Sequence, residues 1–265
     1  MRDMVYKALT IAGSDSGGGA GIQADLKTFH QFRVFGMSAI TAVTAQNTLG
    51  VQAVYPLPLE AIEKQIDSVA VDLSPDAVKT GMLFSHEIIE LVAQKTAQYR
   101  WTRIVVDPVM VAKGGAPLLK QEAIEALKRH MLPLAYVLTP NIPEAEVLTN
   151  MRIETLENRK EAAKKLHHLG VRYVVMKGGH AEGSELVDLL YDGERFYEWK
   201  SERIETKHTH GTGCTFAAAI TAQLAKGKTI YEAIDVAKRF IQAAVEQALH
   251  IGSGHGPTNH WALYE

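Results

Sequence analysis

Residues 208–215, with the sequence His-Thr-His-Gly-Thr-Gly-Cys-Thr, are the part of the chain whose residue types most directly suggest chemistry. Gly211 and Gly213 flank Thr212, and an apolar, alanine-rich helix is predicted to follow. Glycines let a backbone approach a ligand closely, and the unpaired N–H groups and dipole at a helix start attract anions. Cys214, the only cysteine, lies at this helix start, where we expect a lowered thiol pKa. The sequence therefore predicts an anion site, with an ordinary glycine-rich turn as the alternative.

Polar and glycine-bearing segments follow the predicted strands one after another. They are residues 15–21, 46–47, 81–82, 107, 141 with 144, and 177–179. Each has a local structural alternative, such as a helix cap at Asp15, a capping pair of Asn141 and Glu144, or a plain turn at Asp107. Because ligands of open parallel sheets bind beyond the carboxyl ends of the strands, we expect the segments to meet at one edge of a sheet.

These residue types suit phosphoryl transfer, which depends on positioning and charge neutralisation more than on covalent chemistry. Lys177 can neutralise phosphates, with a solvated loop lysine as the alternative. Asp107, Asn141 and Glu144 supply hard oxygen ligands of the kind that Mg²⁺ or its bound waters prefer. Together with the anion loop, they predict a phosphoryl-transfer site.

Other nucleotide- and metal-binding patterns fail on inspection. The segment 227–229, Gly-Lys-Thr, is not a Walker A loop, because Ala222 stands where the upstream glycine is required. Ile22 occupies the last glycine position of a dinucleotide-binding fingerprint. His208 and His210 have no cysteine or carboxylate in a matching zinc pattern, so we expect no zinc site.

The order of predicted elements favours an α/β fold with a mostly parallel sheet and helices on both faces. Strands are predicted at 8–12, 37–44, 77–80, 104–106, 135–139 and 173–176, and helices at 22–32, 59–71, 87–97, 122–130 and 159–169. A hairpin at 185–191 and 195–199, turning at Asp192-Gly193, predicts an antiparallel edge. Helices at 215–225 and 230–249 complete a single domain over residues 1–265.

Composition narrows the class of protein. Hydrophobic residues make up 46% and charged residues 22% of the chain, and the net charge is −2. With no block of basic residues, the charge pattern gives no reason to expect a nucleic-acid or membrane partner. One cysteine suits a reducing compartment, and neither a signal-peptide pattern nor a membrane-length apolar run is present. We therefore expect a cytoplasmic protein.

Several long motifs resemble those of the hydroxymethylpyrimidine and phosphomethylpyrimidine kinases of thiamine biosynthesis. They are Ala-Leu-Thr-Ile-Ala-Gly-Ser-Asp at 8–15, Gly-Gly-Ala-Gly-Ile-Gln-Ala-Asp-Leu-Lys at 18–27, Val-Thr-Ala-Gln-Asn-Thr at 43–48, Asp-Pro-Val-Met-Val-Ala-Lys at 107–113, Thr-Pro-Asn-Ile-Pro-Glu-Ala at 139–145, Met-Lys-Gly-Gly-His at 176–180 and Thr-His-Gly-Thr-Gly-Cys-Thr at 209–215. The resemblance covers nearly the whole chain in order, and it is specific at the level of the family.

This resemblance implies a ribokinase-like three-layer sandwich and an ATP-dependent kinase. The substrate would be 4-amino-5-hydroxymethyl-2-methylpyrimidine, followed by its monophosphate, which would be converted to the diphosphate. The implied site consists of Gln46, Ala20, Met82, Val109 and Asp15 for the pyrimidine, Gly211, Thr212 and Gly213 for the transferring phosphate, Lys177, Asn141, Thr209 and Lys238 for ATP, and Asp107 and Glu144 for Mg²⁺. A homodimer is also implied, while a monovalent cation and the occurrence of both phosphorylations are left open.

Two departures from related sequence patterns bear on this interpretation. The wider ribokinase superfamily usually has an aspartate base where Cys214 stands, a cysteine that the pyrimidine kinases share. Its thiolate is expected to act as the base, with a merely site-lining cysteine as the alternative. Similar pyridoxal kinases can use a second cysteine near Ala112, which this chain lacks. A pyridoxine or pyridoxal kinase is the first alternative, and a non-catalytic ligand-binding or thiol-sensing protein is the second.

Overall fold

The computed structural model describes residues 4–110, 119–179 and 185–262. Within these ranges, nine strands form one sheet in the order β3-β2-β1-β4-β5-β6-β7-β8-β9. The strands are β1 (Lys7–Asp15), β2 (Phe35–Asn47), β3 (Gly50–Pro56), β4 (Ala77–Thr80), β5 (Ile104–Val106), β6 (Val137–Leu138), β7 (Tyr173–Met176), β8 (Glu185–Tyr191) and β9 (Phe196–Glu202). The six central strands, β2, β1, β4, β5, β6 and β7 in spatial order, pair in parallel. Strand β3 at one edge and strands β8 and β9 at the other edge pair antiparallel.

Helices cover both faces of this sheet. They are α1 (Gly21–Gln31), α2 (Leu59–Asp72), α3 (His86–Gln98), α4 (Gln121–Ala126), α5 (Ile142–Thr149), α6 (Leu156–His168), α7 (Thr212–Ala225) and α8 (Ile230–Glu246). Helices α2 to α6 bury their apolar residues in one core, and α1, α7 and α8 bury theirs in a second core. The three-layer α/β architecture expected from the sequence is confirmed.

Two elements were not anticipated. Strand β3 pairs with the end of β2 at the sheet edge, and its residues are all partly or fully exposed. Because it has no clear buried face, its sequence does not show the pattern that predicts a strand. Helix α5 begins at a capping box, in which Asn141 and Glu144 each bond the other's backbone N–H. That capping pair was foreseen, but the short helix after it was not.

Several predicted boundaries were wrong for identifiable reasons. Helix α7 begins at Thr212 rather than at residue 215, because Gly211, with φ of 81°, serves as its N-cap. Helix α6 begins at Leu156 rather than at residue 159, because Thr155 caps it. The helix predicted at 122–130 changes after α4 into a wider turn over Leu127–Met131. Helix α8 ends at Glu246 rather than at residue 249.

In the described ranges, no helix has the length and apolar character needed to cross a membrane.

Candidate active site

The carboxyl ends of the central strands open onto one cavity of about 790 Å³. All fifteen site residues named from the sequence line it: Asp15, Ala20, Gln46, Met82, Asp107, Val109, Asn141, Glu144, Lys177, Thr209, Gly211, Thr212, Gly213, Cys214 and Lys238. They come from distant parts of the sheet order and from the three helices α5, α7 and α8. Parallel strand topology therefore brings these distant segments to one place, as the pattern of polar residues after successive strands predicted.

The start of helix α7 forms the central wall of this cavity. Gly211 adopts a left-handed conformation and accepts the backbone N–H of Thr215 at 2.9 Å, which begins the helix. The hydroxyl of Thr212 donates to the carbonyl of Thr209 at 2.7 Å and fixes the preceding turn. The first N–H groups of a helix have no partner inside it, and the helix dipole makes that end positive. This first turn is thus built to receive an anion.

Lys177, Asp107 and Glu144 form a charged cluster next to the first turn of α7. The Lys177 ammonium lies 3.0 Å from Oδ1 of Asp107 and 4.0 Å from Oε2 of Glu144. A Cβ on Gly213 would lie 3.3 Å from the same ammonium, which places the cluster against the anion loop. One cation therefore already contacts both carboxylates, and both are close enough together to serve a single positive ion.

Burial and neighbouring charges set the protonation of this cluster. Burial raises the pKa of Glu144 to about 7; Lys177 opposes this rise, whereas Asp107 adds to it. Burial lowers the pKa of the Lys177 ammonium, but Asp107 and Glu144 outweigh this effect and keep the pKa above its usual value. Lys177 is therefore charged at neutral pH.

The side chain of Asn141 takes part in a helix cap. Its Oδ1 accepts the backbone N–H of Glu144 at 2.9 Å, and Oε2 of Glu144 accepts the backbone N–H of Asn141 at 2.8 Å. The local alternative considered for this pair is thus what the structure shows, and it coexists with their position on the cavity wall.

Asp15 organises the loop that faces α7. Its carboxylate accepts backbone N–H groups of Gly17, Gly19 and Ala20 at 2.8, 3.0 and 2.8 Å. Nε2 of His210 lies 2.9 Å from its Oδ2. Burial raises the pKa of the Asp15 carboxyl, but the His210 contact and the backbone N–H groups offset this and hold the pKa below its usual value. The helix-capping alternative for Asp15 is wrong, because Ala20 is the N-cap of α1.

Gln46 continues this network towards the cavity. Its Nε2 lies 3.1 Å from Nε2 of His210, and its Oε1 accepts the Thr44 hydroxyl at 3.3 Å. The amide is thereby held between the end of β2 and the segment before α7. An amide fixed in this way can present one donor and one acceptor to the edge of a ring.

Lys238 pairs with a carboxylate at the other end of the cavity. Its ammonium lies 2.7 Å from Oδ2 of Asp188 and donates to the Ser201 hydroxyl at 3.1 Å. Oδ1 of Asp188 accepts the backbone N–H of Gly178 at 2.6 Å. The aspartate therefore joins α8 to the loop after β7 and positions Lys238 on the cavity wall.

The expectation of a lowered thiol pKa at Cys214 is wrong for this structure. Burial raises the pKa of the thiol to about 11; Lys79 opposes the rise, whereas Asp25 and Asp107 add to it. The backbone N–H of Gly21 also favours the thiolate. The favourable helix start is thus outweighed by loss of water and by two carboxylates, and the thiol is protonated at neutral pH.

Comparison with known proteins decides the family. The family model for phosphomethylpyrimidine kinase matches residues 15–259. The chain belongs to this family. It is 60% identical over 260 residues to the hydroxymethylpyrimidine/phosphomethylpyrimidine kinase of Bacillus subtilis, covering 98% of this chain and 96% of the relative.

Solved structures of pyridoxal kinases share the fold. The Bacillus subtilis pyridoxal kinase in complex with ADP superposes with a TM-score of 0.91 and 45% identity, covering 98% of this chain and 99% of that chain. The Staphylococcus aureus pyridoxal kinase in complex with AMP-PCP and pyridoxal gives a TM-score of 0.92 and 38% identity, covering 99% and 96%. The ribokinase-like architecture expected from the sequence is confirmed.

Sequence reasoning missed three residues that line or organise the cavity. Lys79 lies on β4 and Asp188 on β8, inside apolar strands where an isolated charge gave no functional pattern. His210 was considered only as a zinc ligand, although it connects Asp15 to Gln46. Ala112, used to argue against a pyridoxal kinase, lies outside the described residues.

Proposed function

We propose that this protein uses ATP to phosphorylate the hydroxymethyl group of 4-amino-5-hydroxymethyl-2-methylpyrimidine, and then phosphorylates the monophosphate to the diphosphate, for thiamine biosynthesis. The observation that carries the proposal is the cavity that the anion loop of α7 lines together with Gln46, Lys177 and Lys238. The 60% identity to a hydroxymethylpyrimidine/phosphomethylpyrimidine kinase supports the choice of substrate.

We assign the two ends of the cavity to the two substrates. Gln46 and Ala20 follow β2 and β1, and we place the pyrimidine there, with Asp15 holding the loop and Met82 and Val109 lining the ring. We place ATP at the end near β8, β9 and α8, where Lys238 meets its phosphates and the apolar residues Ile241 and Val245 flank the base. Thr209, Asn141 and Lys177 lie between these ends.

The reaction we propose moves one proton and one phosphoryl group. In the small fraction of molecules whose Cys214 thiol is ionised, the sulfur takes the hydroxymethyl proton, the hydroxymethyl oxygen bonds to the terminal phosphorus of ATP, and the bond from that phosphorus to ADP breaks. The N–H groups at Gly211 and Gly213 face the negative charge on the transferring group, and stabilisation of this kind is usually a large part of catalysis. The N–H of Thr212 donates to the carbonyl of Thr209 at 3.3 Å and holds the turn in place. In the second reaction, a phosphate oxygen of the monophosphate replaces the hydroxymethyl oxygen.

Asp107 and Glu144 fit a magnesium ion. Their carboxylates contact the same Lys177 ammonium, and their oxygens are the hard ligands that Mg²⁺ prefers. A bound Mg²⁺ would neutralise charge on the ATP phosphates there. Two protein carboxylates suit this ion, which usually keeps several waters and takes the rest of its ligands from phosphates. Mn²⁺ binding followed by electron spin resonance, with Asp107→Asn as the variant, tests this assignment without turnover.

The deciding experiment measures ATP consumption by purified protein with one alcohol in each reaction. Hydroxymethylpyrimidine and its monophosphate should both be phosphorylated, and pyridoxal and pyridoxine should be poorer substrates. Turnover of the vitamin B6 compounds alone would overturn the proposal in favour of a pyridoxal kinase. That alternative is favoured by one observation, the close superposition on a pyridoxal kinase with bound AMP-PCP and pyridoxal. Binding of ATP without turnover of any alcohol would indicate the non-catalytic alternative.

We further propose a cytoplasmic homodimer in which residues 1–265 act as one domain. The exposed apolar side chains Val43 and Tyr55 are cross-strand neighbours on β2 and β3, and Leu49 at the turn between the strands is 71% exposed. Apolar patches of this kind often mark contact surfaces. Light scattering should give twice the chain mass, and Tyr55→Glu should give a monomer.

Whether a monovalent cation assists the reaction is a separate question. It is tested by comparing turnover in a potassium salt with turnover in a tetramethylammonium salt.

A further inference from the structure

A buried ion pair lies beneath the anion loop and has no part in the mechanism derived above. Lys79 on β4 and Asp25 on α1 both have fully buried side chains. The Lys79 ammonium lies 2.9 Å from each carboxylate oxygen of Asp25, and the Thr10 hydroxyl donates to Oδ2 of Asp25 at 2.6 Å. Apolar side chains of similar size are often as stabilising as a buried ion pair. Fold stability alone therefore gives a weak reason for this pair.

The position of Lys79 relates the pair to the active site. Lys79 lines the cavity together with Gly21, Gly81, Asp107 and Cys214. A Cβ on Gly81 would lie 3.1 Å from its ammonium, so the glycine backbone packs closely against that nitrogen. An ammonium has three N–H donors, and the two oxygens of Asp25 use two of them. Asp25 thus takes two of the three donors and fixes the position of the cation, which is itself shielded from solvent.

Four charged groups from different elements act on the Cys214 thiol. Lys79 from β4 favours the thiolate, and Asp25 from α1 and Asp107 after β5 disfavour it. Lys177 after β7 interacts with the same thiol, and as a cation it favours the thiolate. After burial, Lys79 has the largest effect on the pKa of this thiol. Lys79 is therefore the main cation that opposes the loss of water at the sulfur.

We propose that Lys79 is a positioning residue for the phosphoryl transfer, and that its ammonium, anchored by Asp25, supports negative charge on the Cys214 sulfur before the hydroxymethyl proton moves there. The identity of the reaction rests on the proposed function. The action of the pair on the sulfur rests on the position of Lys79 and Cys214 in the wall of one cavity and on the charges of the pair, and it is testable without any substrate.

The test measures alkylation of Cys214 by iodoacetamide between pH 7 and pH 10. Cys214 is the only cysteine, so the labelling signal has one source. A change of one in the thiol pKa changes the thiolate fraction about tenfold at pH values below that pKa. Lys79→Met should slow alkylation about tenfold, because it removes the favourable charge. Asp25→Asn should accelerate it, because it removes an unfavourable charge.

The opposite signs separate an electrostatic role from a structural one. Both variants break the same ion pair, so a purely structural role would loosen the site and change alkylation in the same direction in both. Lys95→Met is the matched control: Lys95 is a buried lysine on α3 that pairs with Asp67 away from the cavity, and its loss should leave alkylation unchanged. Changes of equal sign in Lys79→Met and Asp25→Asn, or no change in either, would overturn the proposal.

A double variant keeps the test available if Lys79→Met does not fold. Lys79→Met with Asp25→Asn leaves no uncompensated buried charge, and such neutral replacements are usually tolerated. Because Lys79 acts on the thiol more strongly than Asp25, the double variant should be alkylated more slowly than the wild type. Equal or faster alkylation would contradict the proposal. In kinase assays, Lys79→Met should lower kcat more than it raises the KM for either substrate.

Discussion

Gly211 is the position at which a single methyl group should damage the site most. It has φ of 81°, and a Cβ built there would lie 1.7 Å from the carbonyl oxygen of Gly19. The loop after β1 and the start of α7 therefore approach each other so closely that neither backbone has space for a side chain. Gly211→Ala must either separate the two loops or rotate the residue out of its helix-capping conformation.

The free-energy cost of Gly211→Ala has a conformational part and a steric part, and Gly227→Ala isolates the conformational part. A left-handed conformation costs a residue with a Cβ about 1–2 kcal/mol, and forcing extra volume into a packed region costs about 1–3 kcal/mol. Gly211→Ala should thus lower the free energy of unfolding by about 4 kcal/mol. Gly227 lies just beyond the other end of α7, with φ of 79° and no atom within 4 Å of a Cβ. Gly227→Ala should therefore cost only the conformational part, about 1 kcal/mol.

Urea unfolding of the three proteins measures these differences directly. Gly213→Ala is a useful third variant within the same anion loop, because its Cβ would meet only side-chain ends, the Lys177 ammonium at 3.3 Å and Oδ2 of Asp107 at 3.8 Å. It should fold nearly as stably as the wild type, yet lose about a hundredfold in turnover through displacement of the phosphate site. If Gly211→Ala and Gly227→Ala lowered the unfolding free energy equally, the inferred contact between the two loops would be refuted.

Three further predictions concern a buried histidine outside the cavity lining and two residues that line the cavity. Burial lowers the pKa of His260 to about 4; the unfolded chain binds that proton near pH 6.5, so stability is lost as pH falls from 6.5 towards 4. In urea unfolding, the wild type should lose about 2 kcal/mol more stability between pH 7 and pH 5 than His260→Asn does. The comparison of the two proteins removes the opposite contribution of Glu144, whose raised pKa stabilises the fold as the pH falls. Gln46→Leu should raise the KM for the pyrimidine at least tenfold and that for ATP little, since it removes the hydrogen bonds that read the ring; an equal rise in both would contradict its assignment. Lys238→Met should show the reverse pattern, about a tenfold rise in the KM for ATP alone. A rise only in the KM for the pyrimidine would mean that the two substrates bind at the opposite ends of the cavity from those we assign.

The sequence predicted the fold well because its strongest signals are local. Buried strands and amphipathic helices alternate, and the order of polar segments follows from the parallel topology. Strand β3 and helix α5 escaped prediction because one is a half-exposed edge and the other is short. The site was predicted as a set of residues, and the structure places all of them on one cavity wall. Their individual roles stay predictions.

What the sequence could not indicate is which charges face each other. Asp15, named as a substrate residue, contacts backbone N–H groups and His210, because the loop after β1 folds back around its carboxylate. Lys238, named for ATP, already pairs with Asp188 from another strand. Such pairings join residues far apart in the chain, and no local pattern encodes them.

At Cys214, the expected lowering of the thiol pKa by a helix start is outweighed by burial and by nearby carboxylates. A helix start favours an anion by about 0.3–1 kcal/mol, or up to ~2 kcal/mol where partly buried, whereas full burial can move a pKa by about 3–5. Burial therefore prevails, and the carboxylates of Asp25 and Asp107 add to it. Oxidation and alkylation of a thiol follow its thiolate fraction, so a pKa of about 11 keeps this sulfur inert at neutral pH. The same sulfur, once ionised, is a stronger base than an ordinary thiolate because burial raises its pKa. Lys79 lowers that pKa and so brings it nearer to the operating pH, where a general base works best.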